Sequence, residues 1–233
     1  MLKRDWFGES FRSRIPILLL VYGIQLLYFP INIYLQDKGG FKADIASIDG
    51  NMPLLPIFVV PYNLGLVSLP IWHVVAAWKF PRDLFQRYIV AFLTVMITGF
   101  LLWLIFPAYV EKEPIEGSGF FTDILKSLHD GDDQYGNHNA IPSSHVYYVT
   151  IAVLFYIQIF RKWIPALLTL AVINALSTMF THQHYFLDVL TGFINTYFGY
   201  VLATRVLVPW IQGLEWRHGI RPKKPVGDYP SKA

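Results

Sequence analysis

The apolar part of the sequence contains one deeply placed acidic residue, Asp188, and a histidine, His184, lies four positions before it. On a helix, residues four apart share one face, so the carboxylate and the imidazole are predicted to form a hydrogen bond. An imidazole oriented by a carboxylate keeps one tautomer and gains basicity at its other nitrogen, as a nucleophile or a base requires. A structural pair, in which each polar side chain only satisfies the other, is the alternative.

A second candidate for chemistry is the segment NAIPSSH at residues 139–145. Proline is favoured in the first turn of a helix, and Ser143 and Ser144 leave the backbone open, so a helix with accessible N–H groups is predicted to begin here. Such a helix end binds phosphate. His145, predicted one turn further, is placed to donate a proton to an ester oxygen. A plain helix cap also explains the segment.

The composition indicates the environment in which these residues lie. The chain has 233 residues, of which 54% are hydrophobic and only 15% are charged, against about 25% charged in a soluble domain. It has no cysteine, which excludes disulfides, thiolate metal sites and cysteine nucleophiles. The balance of 19 Lys and Arg against 16 Asp and Glu gives no sign of a nucleic-acid partner. The sequence therefore predicts a membrane protein.

Long segments without Asp, Glu, Lys or Arg predict six transmembrane helices, because a bilayer core needs about 20 apolar helical residues. The predicted spans are residues 15–36, 50–78, 88–110, 142–160 and two helices within residues 163–203 that turn at residues 181–184. The predicted fold is all-α, and residues 1–233 form one membrane domain.

The distribution of positive charge predicts the orientation, since cytoplasmic loops are enriched in Lys and Arg. Alternate loops and termini on one side of the six-span arrangement hold fifteen of these residues, and those on the other side hold four. Both termini, residues 1–14 and 206–233, are therefore predicted to be cytoplasmic. The compact chain, without an endoplasmic reticulum retention sequence, favours a bacterial inner (cytoplasmic) membrane.

The loop between the third and fourth spans, residues 111–141, contains the sequence GFFTDILKSLHD. Its apolar residues recur at helical spacing, which predicts a short amphipathic helix lying on the outer leaflet. A helix packed on the bundle is the alternative.

The topology brings the two candidate segments together. His145 opens the fourth span and His184 opens the sixth, so two crossings separate them and both face the same aqueous side. The charge distribution makes that side extracytoplasmic. Two histidines, a buried aspartate and a helix N-terminus at one depth favour catalysis over a structural role.

In this order, the segments resemble the phosphatidic acid phosphatase type 2 superfamily of membrane lipid phosphatases and phosphotransferases. The resemblance covers mainly residues 106–192. The superfamily's Pro-Ser-x-His motif corresponds to residues 142–145, and its last motif, Ser-Arg, five residues and His-x-x-x-Asp, corresponds to residues 177–188. The 39-residue separation of His145 and His184 and the six-span topology also agree.

The resemblance implies a role for each of the three residues. His184 would attack phosphorus and form a phosphohistidine, with Asp188 orienting it, and His145 would protonate the leaving alcohol and later activate water or an acceptor alcohol. This division suits the chemistry, because a neutral imidazole is an adequate nucleophile and an imidazolium stabilises the charge of the transition state. Neither a metal nor a cofactor is expected.

The sequence departs from the superfamily where phosphate is held. The arginine after the motif serine is replaced by Thr178, and the first motif, Lys, six residues and Arg-Pro, has no clean counterpart. Lys112, His182 and His138 are the candidates to supply the missing charge. Together with the residues of the helix end, the predicted substrate-binding set is Lys112, Ser143, Ser144, His182 and His138.

The missing arginines make the site resemble the sphingomyelin synthase and inositol phosphorylceramide synthase branch. The predicted function is that of a metal-independent lipid phosphate phosphatase in the bilayer, and the alternative is a phosphotransferase that moves a phospho-headgroup to an alcohol or ceramide-like acceptor. The sequence does not name the lipid substrate, the acceptor or the oligomeric state.

Two other classes of protein are alternatives, a metalloenzyme and a small transporter. A metal site of two histidines and a carboxylate would use His182, His184 and Asp188, or His145. However, His182 and His184 are two positions apart and would diverge on a continuous helix. A small transporter would use the histidines as proton relays, yet its polar groups would extend through the midplane, where this sequence has few.

Overall fold

The computed structural model describes residues 5–220, except for the side chains of residues 133–135, and this part of the chain is mostly helical. The outermost parts of both predicted cytoplasmic termini, residues 1–4 and 221–233, lie outside the described residues.

The described chain contains eleven α-helices and two short strands. The helices are α1 (Phe11–Gln25), α2 (Tyr28–Gln36), α3 (Ala46–Asp49), α4 (Val59–Val67), α5 (Leu69–Lys79), α6 (Arg82–Ile105), α7 (Phe120–Tyr135), α8 (Ser144–Ile159), α9 (Ile164–Phe180), α10 (Phe186–Leu202) and α11 (Val208–Arg217). The strands are β1 (Phe41–Lys42) and β2 (Ala108–Tyr109). Short 3₁₀ segments at Pro56–Phe58 and Arg161–Trp163 and a π-helical turn at Ala203–Leu207 complete the elements.

Several of these helices are long and apolar enough to cross a membrane. In the described part of the chain there are four such segments, Phe11–Gln36, Arg82–Ile105, Arg161–Phe180 and Phe186–Arg217, and a fifth if α4 and α5 are counted as one span bent by 41°. This agrees with a membrane protein. The remaining predicted span, the fourth along the chain, corresponds to α8, which has only 16 residues and is therefore about 24 Å long.

The two ends of α8 explain its length. Pro142 and the capping residue Ser143 precede it, and after Phe160 the chain turns into the 3₁₀ segment Arg161–Trp163. α8 lies between α6, α9 and α10, and most of its side chains are buried. Because neighbouring helices cover α8, its side chains are shielded from water although the helix is shorter than the bilayer core is thick.

The second predicted span is interrupted at Ser68, between α4 and α5. Pro70 has no backbone N–H, and its ring would collide with the carbonyl of Leu66 in a continuous helix. The Ser68 hydroxyl donates to the Gly65 carbonyl at 3.1 Å and accepts from Trp72 Nε1 at 2.8 Å. The helix continues through Pro61, so the bend belongs to Pro70.

Helix α6 begins at Arg82, six residues before the predicted start, because its charged first turn is paired within the protein. Arg82 donates to Asp5 at 2.9 and 3.0 Å and forms an ion pair with Glu215 at 3.1 Å. Arg14 lies nearby. We call this end of the bundle, defined by Arg14 and Arg82, the arginine end.

The core between the helices is aromatic. Phe92 of α6 stacks on Tyr148 of α8, with ring centroids 5.0 Å apart. Gly99 permits the close approach of the same two helices, since a Cβ atom there would lie 2.7 Å from Tyr147 Oη. This packing holds the first turn of α8 at the other end of the bundle, which we call the histidine end after His145 and His184.

The loops at the histidine end form a cover over it. α7 packs on α2 and α4, with Leu125 fully buried, so the loop helix is packed on the bundle. β1 and β2 pair in parallel through Phe41 with Ala108 and Lys42 with Tyr109, and Ala108 also bridges to Asn139. This short ladder joins three loops that are distant in the sequence.

Candidate active site

His184 and Asp188 lie in contact, although not on one helix face as predicted. His184 belongs to the turn between α9 and α10, and Asp188 is the third residue of α10. The Asp188 Oδ2 atom lies 3.2 Å from His184 Nδ1 and accepts the Tyr185 N–H at 2.8 Å. The carboxylate therefore orients the imidazole and caps the helix at the same time.

The turn that carries His184 is fixed by the end of α9. The carbonyl oxygen of Thr178 accepts the N–H groups of Gln183 at 2.9 Å and His184 at 3.0 Å. Thr178 stands where the motif that the sequence resembles has an arginine, and its side chain, which is fully buried, donates to the Ala175 carbonyl. This position thus supports the turn and supplies no positive charge.

His145 lies in the first turn of α8, earlier than predicted. The helix begins at Ser144, so Pro142 precedes the capping residue Ser143 and stands outside the first turn. The Ser143 N–H donates to the Asp188 carbonyl at 3.0 Å, which joins the beginnings of α8 and α10. As a result, the rings of His145 and His184 are 5.7 Å apart between centroids.

A small cavity of about 30 Å³ lies between the two histidines. It is lined by Tyr28, Tyr62, Val110, Lys112, Asp132, Asn137, Asn139, Ala140, Ser144, His145, Gln183 and His184. Lys112 is its one lysine or arginine and forms an ion pair with Asp132. Among the described residues, neither ring nitrogen of His145 has a hydrogen-bond partner, and the same holds for Gln183 Nε2. Buried polar atoms are usually bonded, so unbonded ones at a cavity are candidates for contact with a substrate.

A second cavity of about 190 Å³ also touches His184. Its lining contains His182, His184 and five charged residues. These are one lysine, Lys42, and four carboxylates, Asp44, Asp49, Glu111 and Glu113. Lys42 lies 3.0 Å from Glu111 and 3.4 Å from Asp44. The hydrogen bond to Glu111 raises the pKa of Lys42. Four carboxylates against one lysine make this cavity acidic.

The predicted substrate-binding residues are divided among these places. Lys112 and Ser144 line the small cavity, and His182 lines the acidic one, with its Nε2 atom 3.0 Å from the Met52 carbonyl. Ser143 and His138 are absent from both linings.

His138 lies against the ladder instead, with its ring 5.4 Å from that of Tyr109. Burial lowers the pKa of His138, which disfavours its charged form. It is a poor replacement for an arginine.

Four residues at the site were given no role in it from the sequence: Asp49, Tyr62, Asp132 and Gln183. The Asp49 carboxylate accepts the N–H of Phe186 at 2.8 Å and that of Ile45 at 2.7 Å, so it caps α10 from the first loop. Tyr62 stacks on His145, with ring centroids 4.1 Å apart. Asp49 and Phe186 are 137 positions apart, and no spacing rule connects residues at that distance.

The described residues contain no group of three or more His, Asp or Glu that could hold a metal ion. The groups that could act on a substrate are the two imidazoles, the Asp188 carboxylate, Lys112 and the N–H groups at the start of α8. This set can supply a nucleophile, a proton donor and partial positive charge to an anion.

Comparison with protein families gives one match, in which residues 113–212 correspond to the family described as the PAP2 superfamily. The match supports the PAP2 superfamily. It contains His145, His184 and Asp188 and leaves out Lys112, Tyr62 and Asp49. Members of this superfamily are phosphatases or related phosphotransferases, so the match supports an enzyme of this type. No curated protein matches the chain.

Proposed function

We propose that this protein is a lipid phosphate phosphatase that acts through a phosphohistidine on His184. The observation that carries the proposal is the approach of His145 and His184, whose rings are 5.7 Å apart at a common cavity. One ring is held by a carboxylate and the other has both nitrogens unbonded within the described protein. Those are the requirements of a nucleophile and of a proton carrier respectively.

The reaction divides into two displacements at phosphorus. In the first, the lone pair of His184 Nε2 forms a bond to phosphorus, the ester P–O bond breaks, and the leaving oxygen takes a proton from His145. In the second, His145 removes a proton from water, the new O–P bond forms, and the P–N bond breaks to release phosphate and neutral His184. Asp188 holds the Nδ1–H throughout and stabilises the positive charge that develops on the ring.

Phosphate would be held by Lys112 and by the N–H groups of the first turn of α8. Lys112 already pairs with Asp132, so binding of a phosphate anion would exchange part of that contact. The small cavity therefore offers less positive charge than a site with two arginines, which favours substrates of low charge.

The acidic cavity favours a second candidate, a phosphotransferase. His184 lines both cavities, so a headgroup that stays on phosphorus, or an acceptor alcohol, has a place beside the phosphohistidine. In a monoester phosphatase this space of about 190 Å³ would have no such use. The resemblance to the sphingomyelin synthase and inositol phosphorylceramide synthase branch would correspond to this second candidate, because those enzymes are phosphotransferases.

We also propose six crossings, with α8 as the fourth, both termini cytoplasmic and the histidine end extracytoplasmic in a bacterial inner membrane. The charge distribution of fifteen against four supports this arrangement. The chain has no cysteine, so single cysteines at Ser118 and Glu9 can be labelled in intact cells with an impermeant maleimide. Labelling at Glu9 without permeabilisation would contradict the orientation.

The function is tested with purified wild type and the variants His184→Ala and His145→Ala. A panel of lipid phosphates and phosphodiester lipids is incubated with and without a chelator, and free phosphate and new lipids are both measured. We expect chelator-resistant phosphate release that falls by at least about 10³-fold in each variant, with both variants still folded and unfolding cooperatively. New lipids without phosphate release would establish the phosphotransferase, and near-normal turnover by either variant would refute the assigned roles.

A further inference from the structure

The ring of Tyr62 stacks on the ring of His145. Tyr62 lies on α4, outside the residues that match the superfamily. Its ring lies 4.1 Å from the His145 ring between centroids, with 25° between the planes. Both side chains belong to residues that are only 5% exposed. The stack is therefore a buried, nearly parallel contact between a helix of the second span and the histidine of α8.

The two histidines of the site are held in different ways. His184 is oriented through its edge, because Nδ1 contacts the Asp188 carboxylate. His145 has no such bond, since neither of its nitrogens has a partner among the described residues. Only packing can fix the plane of the His145 ring. A ring stacked on its face keeps both edge nitrogens available for proton transfer, whereas a hydrogen bond would occupy one of them.

The ring of Tyr62, more than its hydroxyl, is responsible for this effect. The hydroxyl donates to Gln183 Oε1 over 3.4 Å, which is long for a bond between two oxygens and hence weak. The stack of two π-systems is at a favourable separation for aromatic pairs. Removal of the hydroxyl alone should therefore leave His145 in place, and removal of the ring should release it.

We propose that Tyr62 is a positioning residue that holds the plane of the His145 ring for proton transfer to the leaving oxygen. This inference rests on the proposed function, in which His145 is the general acid. Misplacement of the acid slows esters with poor leaving groups, which need the proton, more than esters whose leaving group departs as a stable anion.

The experiment compares Tyr62→Phe, which keeps the ring, with Tyr62→Leu, which removes it. For each protein, kcat/KM is measured on the alkyl lipid phosphate that the wild type hydrolyses fastest and on p-nitrophenyl phosphate. This constant reports the steps up to formation of the phosphohistidine, in which the leaving group departs. His145→Ala serves as the reference for complete loss of the acid.

We expect Tyr62→Leu to lower kcat/KM on the alkyl ester by about 10- to 100-fold and on p-nitrophenyl phosphate by less than about 3-fold. Tyr62→Phe should stay within about 3-fold of the wild type on both esters. The basic limb of the pH profile of kcat/KM should also shift by about half a pH unit in Tyr62→Leu and not in Tyr62→Phe. The pH profile uses the lipid substrate alone, so it can be measured even if the aryl ester is a poor substrate.

Equal losses on both esters with an unshifted pH profile would overturn the inference and leave Tyr62 as a packing residue. If Tyr62→Leu does not fold, Tyr62→Met replaces it, because methionine fills a similar volume without an aromatic face. Failure of the proposed function is recognised separately, since His145→Ala and His184→Ala would then remain active.

Discussion

Arg14 at the arginine end and His145 at the histidine end are both buried polar side chains, but their hydrogen bonding differs. Arg14 is 1% exposed and donates to the carbonyls of Gly8, Ala77 and Phe80 at 2.7 to 2.9 Å. His145 is 5% exposed, and its two nitrogens have no partner in the described protein. A buried polar group whose bonds are complete stabilises the fold, and one whose bonds are incomplete is available to a substrate.

Under the proposed function, this difference separates a residue that stabilises the fold from one that acts on the substrate. Arg14 joins the first helix to the end of α5 and the turn that follows it, whereas His145 lines a cavity. The two groups lie at opposite ends of α6 and α8, so substitutions at them should act independently.

The largest effect that tests this comparison is expected from Arg14→Met. Methionine keeps an apolar side chain over the Phe85 ring, which the guanidinium now covers at 4.5 Å, but leaves three carbonyl groups without their donor. Each buried, unsatisfied group costs about 1–3 kcal/mol, so we expect a loss of about 3 kcal/mol in the free energy of unfolding. Unfolding in detergent measures the loss, and kcat should stay within about 2-fold of the wild type at temperatures where the variant is folded.

Lys79→Met is the matched control, because Lys79 is an exposed cation at the same end. Its loss should change the free energy of unfolding by less than about 0.5 kcal/mol. A strong loss of turnover in Arg14→Met, with the protein still folded, would show that substitutions at the two ends do not act independently.

A smaller effect is expected from Asp49→Ala, which removes a structural bond at the histidine end. Asp49 caps the first N–H of α10, and loss of such a cap costs about 1 kcal/mol. Because α10 carries Asp188, kcat should also fall, by a few-fold. Thermal unfolding and kcat measured on the same preparation check both effects.

Asp44→Ala is the control for Asp49→Ala. Asp44 lies in the same loop, and its ion pair with Lys42 is solvent-accessible and therefore worth little. Equal losses in the two variants would show that the loop acts through its charge and that the cap is unimportant.

The smallest effect concerns His129, whose Nε2 lies 2.9 Å from the Thr181 carbonyl. Burial, followed by the charge of Lys112, lowers the pKa of His129. Above the usual pKa of about 6.5 the ring is neutral in both states. Below it the unfolded chain binds the proton more readily, so stability falls as the pH decreases towards the folded pKa.

The variant His129→Gln keeps a donor for Thr181 and cannot titrate in this range. We therefore expect its melting temperature to fall less than that of the wild type between pH 7 and pH 5.5. His138 also has a lowered pKa, so part of the acid sensitivity should remain. If the melting temperatures of the two proteins fall equally between pH 7 and pH 5.5, titration of His129 does not contribute to the acid sensitivity.

The sequence predicts the helical membrane character because apolar length is a local property. The turn at residues 181–184 and the proximity of His184 to Asp188 were also predicted from the sequence, since four positions bring residues together at a helix start as they do within a helix. The shared helix face was wrong because α10 begins only at Phe186.

The features that escaped prediction depend on contacts between distant segments. The pairing of Arg82 with Asp5 and Glu215 extends α6 into a charged region that hydropathy excludes. The cap by Asp49 and the stack of Tyr62 on His145 each join loops or helices more than 80 positions apart. Such contacts exist only once the bundle has assembled, so a single sequence does not reveal them.

The short ladder of Phe41, Ala108 and Asn139 has a consequence for how the chain can change in length during evolution. Ala108 pairs with both Phe41 and Asn139, so an added residue on either side of it would displace the segment that leads into α8. Residues 113–119 lie between the ladder and α7 and form no regular element. Insertions and deletions among relatives should therefore concentrate there, while the spacing from Asn139 to His145 stays constant.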